Sequence, residues 1–375
     1  MTHYMQKHLS AELEEKHARV TRWLKEGGYD GISFTKARNF AWMTGGVASN
    51  QIALSNEVGS ASALLLADGR KFVVAAHSEV PRLMADGLEA LGYQPVELKW
   101  YEPKDFRGLL GLKGRIASDV AQPGCDLVDI APLRWQLTPP EINKYRWLGR
   151  QCGEAVTATV REITRGVTER GIEAQVSNEL MQRTIRPTVL LIGSDTRIVR
   201  FRHALPSDHM VDKYAMINIC AEKWGLVISL TRLVHFGPLS EELRKRLRAA
   251  ATVNARFMAG LRPGTKMADL FDQMQHWYAE LGFPNEWQLH HQGGATGYAE
   301  RDYLLRPGAS EIVLEHQAFA MNPTVQGAKC EDTVIASVEG TENITETDDW
   351  PTIPIEVEGE VYRSPDVLIQ DGPQT

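Results

Sequence analysis

The sequence predicts an α/β domain followed by an α+β domain, on three observations. Strand-like and helix-like runs alternate through residues 1–137, the pattern of strands with helices packed on their faces. Thr138-Pro-Pro-Glu141 then reads as a helix start, and a long amphipathic run follows it. Beyond that helix, helical runs stand beside blocks dense in strand formers, without strict alternation. A chain of 375 residues also suits more than one domain, at roughly 100–200 residues each. The expected spans are 1–137, 138–350 and a poorly regular C-terminal extension, 351–375.

In the first span, Ser10 is placed to cap a helix whose first turn carries Glu12 and Glu14, where the helix dipole favours negative charge. Gly27-Gly28 ends it. There follow a strand at 31–35, a helix at 37–43, and a hairpin about Asp68-Gly69 that joins 61–66 to 72–76. A helix at 80–91, a strand at 95–100, a short helix at 106–112 and a strand at 115–118 complete the domain. In the second span, Ile142, Tyr145, Leu148, Cys152, Val156, Val160 and Ile163 recur at spacings of three and four, which predicts a helix from Pro139 to about Arg165. Further helices are expected at 172–183, 240–261 and 267–281, with strands within 214–236 and 317–338.

Composition narrows the function. The formal net charge of −7 with mixed signs argues against a nucleic-acid or anionic-membrane partner. A hydrophobic fraction of 43% supports large cores rather than disorder. No apolar run reaches membrane-spanning length, and Met1–Glu15 lacks the apolar stretch of a secretory signal. Cys125, Cys152, Cys220 and Cys330 lie far apart with no C-x-x-C, as expected of reduced thiols in a cytoplasmic protein.

Three stretches are distinctive: Arg200-Phe-Arg-His-Ala-Leu-Pro-Ser-Asp208, Ala215–Arg232, and Glu331-Asp-Thr-Val334. Together they resemble the pita-bread family of methionine aminopeptidase, prolidase, aminopeptidase P and creatinase. The resemblance covers nearly the whole chain. It implies a creatinase-like N-terminal domain over 1–137, a pita-bread domain over 138–350, and a homodimer. The family's peptidases hold two metal ions with two Asp, one His and two Glu. The matching positions here are Asn218, Ser229, Gly294, Asn322 and Glu331, so four of the five ligands are replaced. Two divalent cations need several anionic or imidazole ligands. No cofactor and no metal centre of the family type is therefore expected.

Creatinase implies another route, C–N bond hydrolysis without metal. The leading expectation is such a hydrolase, acting on a small amide, peptide-like or amidino compound. His203 would carry protons, because an unperturbed imidazole titrates near neutrality, and Glu331 would be its polar partner. Creatine itself does not fit, since Thr231 stands where creatinase has Glu. Around the substrate the reading places His290, His291, Gln292, Asn218, Asn322, Arg301 and Arg202. Were Leu289–Gln292 a strand, His290 and Gln292 would share one face and His291 the other. The glycine pair Gly293-Gly294 would make room for a ligand. Arg200, Arg202 and Arg301 are candidate carboxylate clamps, or else salt-bridge partners. Cys220, on the strand parity of Asn218, is a candidate nucleophile or simply a buried thiol. Two alternatives stand beside the hydrolase: a noncatalytic binding or interaction module on a degenerate peptidase scaffold, and a metallopeptidase with an atypical metal site built from His203, His290 or His291.

Overall fold

The computed structural model describes residues 3–102 and 105–370, and it bears out the predicted fold class. The chain forms two compact units. One takes in the chain up to Arg134 with Thr138–Glu141 and Trp224–Leu226, and the other comprises Trp135–Leu137, Ile142–Lys223 and the chain from Val227 onward.

The first unit is built on a six-stranded mixed sheet. In spatial order its strands are Gln94–Leu98, Lys71–Ala76, Val58–Leu66, Gly31–Lys36, Ile116–Ser118 and Cys125–Leu127. Leu64, Leu66, Phe72, Val74, Val96 and Ile116 form a core against it, since alternate residues share a sheet face. The first helix, His3–Gly27, begins before the expected Ser10; the Ser10 hydroxyl donates to Glu14 instead of capping. The helix expected at 80–91 breaks up. It runs Val80–Leu83 and continues as a π-turn, Met84–Leu88, because Gly87 adopts φ 135°, open only to glycine.

The capping box at Thr138 forms as predicted. Glu141 Oε2 accepts from the Thr138 N–H at 2.8 Å, and Thr138 Oγ1 accepts from the Glu141 N–H at 3.4 Å. Glu141 does more than cap. Its other oxygen meets Lys16 Nζ at 2.9 Å, and Lys16 also reaches Glu12 at 2.6 Å, with all three side chains fully buried.

The helix Pro139–Glu162 buries Tyr145, Leu148, Cys152, Val156 and Val160, the predicted stripe. The second unit carries two main sheets. A four-stranded sheet has the order Val367–Gln370, Leu226–Phe236, Tyr214–Lys223, Arg186–Ser194. A five-stranded sheet has the order Tyr303–Leu304, Gly293–Thr296, Gln317–Met321, Asp332–Ser337, Gly340–Asn343. The helices Glu241–Gly260 and Met267–Glu280 contribute Phe257, Leu270 and Met274 to a core shared with Phe319 and Val334 of that sheet. The sheets are joined through Thr231 N–H to Glu331 O at 3.0 Å and Thr333 Oγ1 to Ser229 O at 2.8 Å. Those bonds bring the two distinctive strands of the sequence side by side.

Residues 351–370 are not irregular. Thr352–Val357 and Glu360–Pro365 pair as a hairpin, and Val367–Gln370 adds a parallel edge to Leu226–Phe236. The turn at Glu358-Gly359, both at positive φ, was the missed hairpin signal. Among the described residues, no helix is long and apolar enough to cross a membrane.

Lys16→Met leaves the Glu12 and Glu141 carboxylates buried without their shared cation. It should cost about 3 kcal/mol or more of stability, measured by denaturant unfolding. A change below about 1 kcal/mol would show that the triad is not a stabilising unit.

Candidate functional site

The site lies within the second unit and has two adjoining parts: a buried ionic cluster on Glu331, and three imidazoles. Glu331 immediately precedes the strand Asp332–Ser337 and is 2% exposed. Its Oε2 accepts from Asn218 Nδ2 at 2.6 Å and from the Thr231 hydroxyl at 2.8 Å, and lies 2.9 Å from Lys329 Nζ. Its Oε1 accepts from Arg301 Nη2 at 2.9 Å. Arg301 Nη1 also donates to Ser229 Oγ at 3.1 Å. Strand parity explains the convergence. Thr231 meets Glu331, while the next residue on each strand faces the other way, where Arg232 pairs with Asp332 at 2.9 Å.

Burial alone would raise the Glu331 pKa. Lys329 and Arg301 overcome it, and with hydrogen bonds from Lys329 and Thr231 they bring the carboxyl down to about 2. Glu331, expected as the polar partner of His203, has both oxygens bound instead by Asn218, Thr231, Lys329 and Arg301. Lys329 was not singled out from the sequence. Its one signal is parity: two residues from Glu331, it shares a face with it when extended.

His203, His290 and His291 come together, with one ring nitrogen from each lying within 4.8 Å of the others. The Nε2 atoms of His203 and His290 are 2.8 Å apart, and the rings of His290 and His291 stack at 4.4 Å. This corrects the expectation that the adjacent histidines point apart. Residues Glu286–Leu289 form a 3-10 turn, and the strand begins only at Gly293, so strand alternation does not govern His290 and His291. Gln292 is a support residue, not a ligand group. It accepts from the Tyr278 hydroxyl at 2.5 Å and donates to the His290 carbonyl at 2.7 Å.

All three imidazoles are held in the neutral form. Burial is the main cause, reinforced by Lys329 and, for His291, more strongly by Arg301. His290 falls to about 2 and His291 to about 4, while His203 is lowered and Glu331 partly offsets its shift.

Other expected groups take different roles. Arg202 pairs with Glu286 at 2.5 Å while its buried Nη1 has no hydrogen-bond partner among the described residues, and Arg200 lies over the Phe201 ring at 5.4 Å. Asn322 is buried, and its Oδ1 has no hydrogen-bond partner among the described residues. Cys220 lies 3.2 Å from Ser229 Oγ on the Asn218 side, as parity suggested. Burial drives its thiol up to about 11, which removes the thiolate that nucleophilic catalysis needs.

Gly294 does not open space. A Cβ built there would lie 2.0 Å from the Tyr303 carbonyl oxygen and 2.8 Å from Leu304 Cα. The glycine lets the two strands approach, and no side chain fits between them. These residues do not suit the family's two-metal centre. Both oxygens of its one remaining carboxylate are engaged by donors, two of them cationic, and no imidazole can stand at 294. Two unit charges 4 Å apart already repel by about 4 kcal/mol at an effective dielectric of 20, and a divalent ion doubles that.

Gly294→Ala should destabilise the protein by about 2 kcal/mol or more through forced separation of the strands. A neutral melt would return the ligand-space reading. The imidazoles generate a pH prediction. A histidine whose folded pKa is depressed stabilises the fold above its unfolded value and loses that contribution as pH falls below it. Stability should therefore decline from pH 6.5 towards 4, and His290→Gln with His291→Gln should flatten the decline in thermal melts across that range. An unchanged slope would contradict the assigned neutral state.

Residues 143–338, more than half of the chain, match Metallopeptidase family M24. The Xaa-Pro dipeptidase of Lactobacillus helveticus is 23% identical over 240 residues, covering 60% of this chain and 64% of that protein's own length. The prolidase from Pyrococcus horikoshii OT3 is similar in fold, with a TM-score of 0.74 at 17% identity, over 89% of this chain and 99% of that one. Dipeptidase PepE from Mycobacterium ulcerans gives 0.73 at 16% identity, over 90% and 96%. The chain belongs to Metallopeptidase family M24.

Proposed function

We propose that this protein hydrolyses a C–N bond in a small peptide-like compound, as a prolidase-like enzyme in which His203 moves the protons. The observation that carries the reading is the meeting of three neutral imidazoles beside a buried, cation-bearing carboxylate. A neutral His203 can take a proton from water and later deliver it to the leaving nitrogen. Its Nε2 already shares a hydrogen bond with His290 Nε2 at 2.8 Å, which fixes the ring. Glu331 partly offsets the positive charge that protonation would place on His203, since it acts on that ring against Lys329. The relatives named Xaa-Pro dipeptidase and prolidase make dipeptides ending in proline the first substrates to try. N-acyl and amidino compounds follow on chemistry.

A second reading is favoured by the same imidazoles. Three ring nitrogens within 4.8 Å of one another have the composition of a single transition-ion site, which would make the protein a metallopeptidase with an atypical centre. Chelation separates the two. Turnover that survives dialysis against 1,10-phenanthroline supports the metal-free reading, and turnover that is lost and then restored by Zn²⁺ or Co²⁺ supports the second.

His203→Ala should lower turnover by at least about 10²-fold with an unchanged melt. His203→Gln should hold KM within about threefold while losing rate, because an amide keeps hydrogen bonds but cannot carry the proton. Single-turnover kinetics with thermal melts tests both. Near-normal rates would remove the proton-carrying role from His203. Ligand binding that depends on His203 without turnover of any substrate would make the chain a binding module.

A further inference from the structure

Glu331 meets two cations, one on each oxygen. Lys329 Nζ lies 2.9 Å from Oε2, and Arg301 Nη2 lies 2.9 Å from Oε1. Asn218 shares Oε2 with the ammonium, and Ser229 shares the guanidinium with Oε1. Asn218, Ser229 and Glu331 all stand at metal-ligand positions of the resemblance. Each is now tied to a side-chain cation or to the carboxylate that holds one. Arg301 spans two of those positions by itself.

We propose that Lys329 and Arg301 are the cations of this centre, built into the chain in place of a metal pair, and that Lys329 presents its ammonium to the substrate's acyl oxygen. Charge supports the first half. Two cations meet one carboxylate, next to three imidazoles. An electron-rich oxygen complements such a centre, and a further cation does not. Geometry supports the second half. Among the described residues the Lys329 ammonium meets Glu331 alone, which leaves N–H groups for a ligand. Lys329 also lines a narrow cavity of about 10 Å³ whose walls, besides Asn218 and Arg202, are apolar side chains such as Leu191, Ile198 and Met216, and which none of the three histidines lines. That is close to the volume one water-sized group requires, enough for a single oxygen atom. As the acyl carbon becomes tetrahedral, its oxygen gains charge, and a donor already buried beside it needs no solvent reorganisation.

The ligand role of Lys329 rests on the hydrolase reading; the replacement of metal does not. The first experiment is therefore a Mn²⁺ titration of the full-length protein by calorimetry, with elemental analysis, on wild type, Glu331→Gln and His290→Ala. The expected result is no Mn²⁺ binding that depends on Glu331. Stoichiometric Mn²⁺ lost in Glu331→Gln and kept in His290→Ala overturns the proposal, whatever the activity. The second experiment uses a phosphinate analogue of alanyl-proline, whose anionic tetrahedral centre imitates the developing oxyanion. Lys329→Met should weaken its binding by about 10²-fold, and Lys329→Arg, which keeps the charge, by less than about tenfold. Lys329→Arg also serves where Lys329→Met does not fold: an Arg variant that loses the probe as completely as Glu331→Gln contradicts a charge-based role. Wild type that does not bind the probe, or equal affinity in wild type and Lys329→Met, overturns the role of Lys329. Intact probe binding with no turnover of any substrate defeats the hydrolase reading alone.

Discussion

The Glu331 carboxylate can lie buried and ionised only because Lys329 and Arg301 flank it while Asn218 and Thr231 donate to it. Removing a carboxylate from water costs several kcal/mol in real proteins, and attraction offsets that only when the remaining lone pairs are filled. Here both oxygens are. The requirement propagates outward. Asn218 and Thr231 must lie on one face of a hairpin, so Tyr214–Lys223 and Leu226–Phe236 must pair in register. Thr231 N–H must bond to the Glu331 carbonyl, which joins the two sheets at the site.

The same cations shape the chemistry beside them. Burial and the field of Lys329, with Arg301 acting on His291, keep His290 and His291 neutral well below their ordinary range. Neutral imidazoles can accept protons, as the proposed reaction requires of His203. Solved structures named as a prolidase and a dipeptidase share its fold at 16–17% identity, a level at which the fold is held while the site is free to change.

Much of the fold was legible because it rests on local signals. The Thr138 capping box, the stripe from Ile142 to Val160 and the Asp68-Gly69 turn are each written within a few residues. What was missed depends on tertiary context. The strand Arg186–Ser194 lacks clean alternation, and the π-turn at Met84–Leu88 follows from one glycine conformation. At the site, Asn218, Arg301 and Glu331 were singled out through the resemblance, which marks positions that the fold brings together. Gly294 was misread because a glycine that admits a ligand and one that admits a neighbouring strand look alike in sequence; only the 2.0 Å approach of the Tyr303 carbonyl distinguishes them. Lys329 was overlooked because a lysine is ordinarily solvated, and nothing local marks one that is 4% exposed.

The account depends most on what neutralises Glu331. A crystal of the full-length protein soaked in Mn²⁺, with anomalous data collected at the manganese edge, tests this directly. The account predicts no anomalous peak within bonding distance of Glu331, and clear density for Lys329 Nζ at 2.9 Å from Oε2. A manganese peak coordinated by Glu331, with the Lys329 side chain displaced from it, would contradict the account.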